Sequence, residues 1–174
     1  MSKGWKPLPV ILKIVFVILI SRVFFSVFSI SPSFDNGFDI FGFTLYGLYA
    51  VNIFFILKTL LPLVILVCMY QRYRHTWIIA VVYFFFMSVS LMFTLTNSTE
   101  MLQRILEQMP DMFELPTGMD ENEFQKLLLI SLKVSVVFSA LFELAIAVLF
   151  LVKRKYFSRF TLEENFPPEE KSSS

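Results

Sequence analysis

The chain has 174 residues, 56% of them hydrophobic and 22 of them phenylalanine, and its mean hydropathy of +0.70 is too high for a water-soluble domain of this length. The net charge of +1 hides a segregation, with basic residues at the two ends and one central turn and acidic residues in one loop and the tail, which speaks against nucleic acid as a partner. Cys68 has no second cysteine to pair with and lies in an apolar run, so it reads as a small buried hydrophobe.

The first apolar run, residues 8–30, follows Lys3 and Lys6. Its length of about 23 residues suits a hydrocarbon core of ~30 Å and exceeds the apolar stretch of a cleavable leader, and no small-x-small site follows it. It is expected to be the first transmembrane helix. Residues 31–42 carry Pro32, the Asn36-Gly37 turn signal and two aspartates, and are expected to be a short loop. A second span is expected over 43–70, with a tight basic turn from Gln71 to Thr76, and a third over 77–97.

Residues 98–125 are polar and acidic. Met101, Leu102, Ile105, Leu106 and Met109 recur at helical spacing, so Thr99 to Met109 is expected to be an extracytoplasmic amphipathic helix stopped by Pro110. Asp120 and Glu123 have the spacing of a capping box opening the last helix, whose apolar part is residues 126–152. The acidic, proline-containing tail 158–174 is expected to be disordered. The fold class expected is therefore all-α: one membrane domain over 1–157, with four transmembrane helices in a bundle and a short amphipathic helix outside it.

Orientation follows from the basic residues near the span ends. Lys3, Lys6, Arg72, Arg74, Lys153, Arg154, Lys155 and Arg159 fall on one side, and Arg104 and Lys126 on the other, among many carboxylates. The positive-inside rule puts the first side, and both termini, in the cytoplasm. There Arg72, Arg74, Lys153, Arg154 and Lys155 form a basic rim facing lipid headgroups.

Four charges fall within the expected spans: Arg22, Lys58, Lys133 and Glu143. An ionised side chain at that depth costs about 2.5–3.5 kcal/mol on insertion scales unless it is paired or wetted, which makes each a candidate for function. Counting from the ends of the runs puts Lys58 and Glu143 in the cytoplasmic half, as an ion pair, and Arg22 and Lys133 in the outer half, where they can snorkel. Together the four could also line a polar path. Ser131, Ser135 and Ser139 recur every fourth residue towards Glu143 and are expected to be a helix-packing stripe; Arg22, Ser26 and Ser29, and Ser90, Thr94 and Asn97, make similar stripes. Pro62 should kink the second helix beside Lys58, whose carbonyl lies four residues back.

His75 has no second ligand at metal-binding spacing, the Asn97-Ser98-Thr99 sequon hugs the membrane, and no phosphate loop, metalloprotease helix, nucleophile elbow or carboxylate pair is present. No cofactor, metal or catalytic residue is expected. The four-span layout, the R-x-R-x-x-W turn from Arg72 to Trp77 and the KRKYFSRF stretch at 153–160 resemble small prokaryotic four-helix membrane proteins grouped in families of unknown function. That resemblance implies an architecture and a prokaryotic plasma membrane, and no activity. The function expected is a non-enzymatic accessory or subunit protein that binds lipid headgroups or a membrane protein partner, including a second copy of itself. The rival is a small transporter or channel using Lys58 and Glu143.

Overall fold

Among the described residues four helices are long and apolar enough to cross a membrane, and their order in the chain sets the geometry of everything else. The computed structural model describes residues 9–29, 37–71, 73–108 and 120–157. The turn at Pro32 to Asn36, Arg72, the stop at Pro110 and the tail 158–174 lie outside them.

Helix α1 is Val10–Phe28. Strands β1 (Phe38–Ile40) and β2 (Phe43–Leu45) pair antiparallel. Helix α2 is Gly47–Tyr70, with a π-helical segment at Phe55–Leu60. Helix α3 is Thr76–Thr94; a 3-10 turn at Leu95–Asn97 joins it to α4, Ser98–Gln108. Helix α5 is Glu121–Val152.

The hairpin corrects two expectations: residues 38–45 are not a plain loop, and the second helix begins at Gly47 rather than at Phe43. Its two-residue turn has positive φ at both positions, 49° at Phe41 and 76° at Gly42, the mirror-image turn that matches strand twist. Phenylalanine is a poor residue there, because its Cβ crowds the backbone at positive φ. Tertiary contacts offset that strain. The Phe41 ring sits edge-on to Phe86 and Phe93, its N–H donates to Ser90 Oγ at 3.2 Å, and the Asn97 amide donates to the Gly42 carbonyl. The hairpin is thus pinned to one end of α3.

The third span also runs on without a break in helicity into the amphipathic stretch, so α4 continues α3 instead of standing apart. Leu102 and Ser98 are buried, and α4 packs against α5. At the start of α5, Asp120 has the extended backbone of an N-cap, but its side chain makes no capping hydrogen bond; the expected start holds and the expected capping box does not.

Helix α1 packs on α2, and α3 packs along α5. The core concentrates at the end of the bundle that carries Arg74 and Lys153. Leu12, Val15 and Leu19 of α1 meet Ile65, Leu66 and Met69 of α2, Ala80 and Phe84 of α3, and Phe150 with Phe157 beyond it. Phe84, Phe150 and Phe157 form a stack with ring centroids 6.0 Å apart at each step. Towards the hairpin end, α1 and α5 part.

A polar-floored cleft between the first and last helices

Each neighbouring pair of helices is joined by a polar link within the bundle, which gives their order around it as α1, α2, α3, α5. Ser26 Oγ on α1 gives its hydrogen to the Val23 carbonyl at 2.8 Å, so it must accept the one from Thr59 on α2, at 2.7 Å. The Tyr83 hydroxyl on α3 donates to the Leu57 carbonyl on α2 at 2.9 Å. Ser88 Oγ on α3 donates to the Ala140 carbonyl on α5 at 2.9 Å. The ring closes between α5 and α1, where Arg22 Nη1 lies 2.7 Å from Glu143 Oε1 and 3.0 Å from Oε2.

The ion pair between Glu143 and Arg22 departs from the expected pairing of Glu143 with Lys58. The depth argument had separated these residues by assigning them to opposite halves. In fact, at ~1.5 Å per residue, Arg22 lies ~18 Å from Val10, Lys58 ~18 Å from Tyr70 and Glu143 ~14 Å from Val152, all near one level. Geometry then selects the guanidinium. One nitrogen, Nη1, reaches both carboxylate oxygens, and Cζ rests 5.9 Å above the centre of the Phe84 ring, so the floor of aromatic core that ends at Phe84 also supports the charge.

These groups line a cavity of about 760 Å³ open between α1 and α5. From the cluster its wall continues along α1 through Phe25 to Ser29 and along α5 through Phe142 to Phe138, both towards the hairpin end. Lys58 lines the same space, and among the described residues it makes no salt bridge or hydrogen bond. The arrangement can hold charge at a depth where an isolated ion is costly. Among the described residues no group of His, Cys, Asp and Glu forms a metal-ligand set.

The other expected site residues fall elsewhere. Lys133 is exposed on α5, outside the cleft lining. Ser131, Ser135 and Ser139 are exposed as well, and α5 turns Val136, Ala140, Glu143 and Ala147 inward instead. The reason is geometric: a repeat of four drifts by about 40° per step on a 3.6-residue helix, so the upper part of the stripe has rotated outward where its lower part faces in. Of that stripe only Ser139 borders the cleft. Ser90 and Thr94 are buried, Ser26 is buried, and Ser29 lies exposed at the cleft mouth. Arg74, Lys153, Arg154 and Lys155 gather at one end of the bundle, with Arg74, Arg154 and Lys155 exposed.

Pro62 acts through a different carbonyl from the expected one. In the π register the N–H of Leu61 bonds to the carbonyl of Ile56, five residues back, and the next carbonyl in that series is Leu57's, to which Pro62 has no N–H to give. Tyr83 supplies the missing donor. Nothing in the YFFF run around Tyr83 marked it in advance; a buried tyrosine needing a hydroxyl partner beside a proline-orphaned carbonyl is recognisable only once the helices are placed.

No protein-family model matches the chain, and comparisons with curated proteins and with solved structures give no match either.

Proposed function

We propose that this is a non-enzymatic multi-pass membrane protein, an accessory component that holds a molecule of the bilayer, lipid or protein partner, in the cleft between α1 and α5. The observation that carries this reading is the Arg22–Glu143 pair at the floor of a lateral opening. A purely structural ion pair is best sheltered on all sides, whereas this one faces a space bounded by exposed aromatic walls. Transport through Lys58 and Glu143 is the less favoured reading, because Arg22 engages both carboxylate oxygens.

Photo-crosslinking from within membranes tests the proposal. Phe138 at the cleft and Val82 on α3 are both exposed, and each is replaced by p-benzoyl-phenylalanine. A discrete lipid or protein adduct is expected from position 138 and not from 82. The same diffuse adducts from both would leave the cleft no more than a gap filled by bulk lipid.

Both termini belong in the cytoplasm in this reading, because the end bearing Arg74 and Lys153–Lys155 is the basic one. With Cys68→Ser as background, single cysteines at Ser2, Glu100 and Ser174 are exposed to an impermeant maleimide on intact cells; Glu100 is chosen because it is exposed beside the buried Ser98. Position 100 should label and the two termini should not; the opposite pattern inverts the topology.

A further inference from the structure

The charges at the cleft floor do not sum to zero. Counted as ionised, the basic groups Arg22 and Lys58 outnumber Glu143, the one carboxylate among the described lining residues, which Arg22 engages. The excess falls on Lys58, which shares the field of Glu143 but makes no salt bridge or hydrogen bond with any described residue. Excess charge of one sign in a low-dielectric cleft attracts the opposite sign far more strongly than it would in water.

The walls above that floor are of another kind. Phe25, Phe138 and Phe142 give an apolar surface that starts at the charges and runs towards the hairpin end, and Val17 and Ile18 line the cleft on the other side of them. Serines interrupt it at Ser21, Ser29 and Ser139 without adding charge. The volume, about 760 Å³, is that of a site for one small amphiphile.

From this juxtaposition we propose that the cleft binds an amphiphile with a single negative charge, its anionic group against Lys58 and the unused N–H groups of Arg22, its apolar chain along Phe25, Phe138 and Phe142. This inference rests on the binding reading above and narrows it to a ligand class. Glu143 has two functions in such a site. It orients the guanidinium through Nη1, and it cancels one of the two positive charges, so that a monoanion leaves the site neutral and a dianion would not. The Tyr83 hydroxyl hydrogen is committed to Leu57 and is not offered to the ligand. A free fatty-acid carboxylate and the phosphodiester of an anionic phospholipid share the required chemistry.

Native mass spectrometry of the whole protein in a non-ionic detergent separates these cases. The probes are palmitate, its uncharged methyl ester, acetate, and palmitoyl-oleoyl phosphatidylglycerol. One palmitate or one phosphatidylglycerol per chain is expected to bind saturably, and the two arms tell which source supplies the anion. Methyl palmitate and acetate should bind at least tenfold more weakly, the first lacking the charge and the second the chain. Lys58→Met breaks no salt bridge or hydrogen bond among the described residues and so should fold; it is expected to weaken the anionic amphiphile about tenfold, and Lys58→Arg should restore it. Phe138→Asp, at the exposed rim, should weaken it by setting a like charge on the apolar wall. Methyl ester binding as tightly as palmitate, or Lys58→Met binding like the parent, overturns the charge-reading site. If crosslinks at position 138 reach a protein and no anionic amphiphile binds, this inference fails while the binding reading survives.

Discussion

Replacing Glu143 by leucine is expected to destabilise the bundle by about 3 kcal/mol, the lower end of what is lost when one member of a buried ion pair is removed. The lower end applies because the Arg22 side chain remains 29% exposed and can draw water through the cleft mouth, whereas Glu143 is only 6% exposed. For the same reason Arg22→Met should cost at least as much, since it strands the deeper partner. The double variant Arg22→Met/Glu143→Leu should recover much of either loss, because two apolar side chains at this depth need no partner. Unfolding titrations in mixed micelles, arranged as a double-mutant cycle, give the coupling energy directly. A second cycle with Lys58→Met and Glu143→Leu should show the smaller coupling. Stronger coupling in the second cycle would mean that Lys58, not Arg22, is the carboxylate's partner.

The other large effect is expected at Phe84. Its ring is fully buried, lies in line with Phe150 and Phe157, sits edge-on to Tyr83 and underlies Arg22. Truncation of a buried phenylalanine costs roughly 3–5 kcal/mol in soluble cores. In a bilayer the transfer part of that figure shrinks, because lipid is as apolar as the core, and the packing part remains. Phe84→Ala is therefore expected to cost about 2–4 kcal/mol by the same titration. Phe85→Ala is the comparison: its neighbour is 55% exposed and should lose well under half as much. Equal losses would place the packed face of α3 elsewhere.

What the sequence made legible divides along physical lines. Hydropathy and length located the helices, because a span needs enough apolar residues whatever it packs against. They could not locate the hairpin, since Phe41-Gly42 lacks the usual Asn-Gly or Asp-Gly signal and its conformation is held by Phe86, Phe93, Ser90 and Asn97 from another helix. Arg22, Lys58 and Glu143 stood out as ions in apolar runs, and all three line one cleft. Which cation meets the carboxylate was not legible, because that depends on the rotation of α1 against α5, a tertiary quantity. The serine stripe on α5 shows the opposite failure: a slowly drifting stripe was given one packing role, when three steps of drift carry Ser131 about a third of a turn from Glu143 and leave its serines exposed.

The π-helical segment of α2 bears on how the bundle comes together. Along α2 the buried residues Ala50, Phe54 and Leu57 on one side, and Pro62, Ile65, Leu66 and Met69 on the other, each follow helical spacing, and the step of five from Leu57 to Pro62 spans the wide turn, with Thr59 buried inside it. That longer step is an extra residue absorbed by the wide turn, which keeps the two halves of the helix facing the same way; without it they would differ by roughly 100°. The wide turn is not self-sufficient, because Leu57's carbonyl, which Pro62 has no N–H to serve, takes a hydrogen bond from Tyr83 on α3. In lipid an unsatisfied carbonyl costs several kcal/mol. The phase of α2 is therefore set jointly with the docking of α3, and the short turn closed by Thr76, which donates to the Tyr73 and Cys68 carbonyls, keeps the two helices together for it. The pair of α2 and α3 is thus the unit in which α2 acquires the face that α1 packs on.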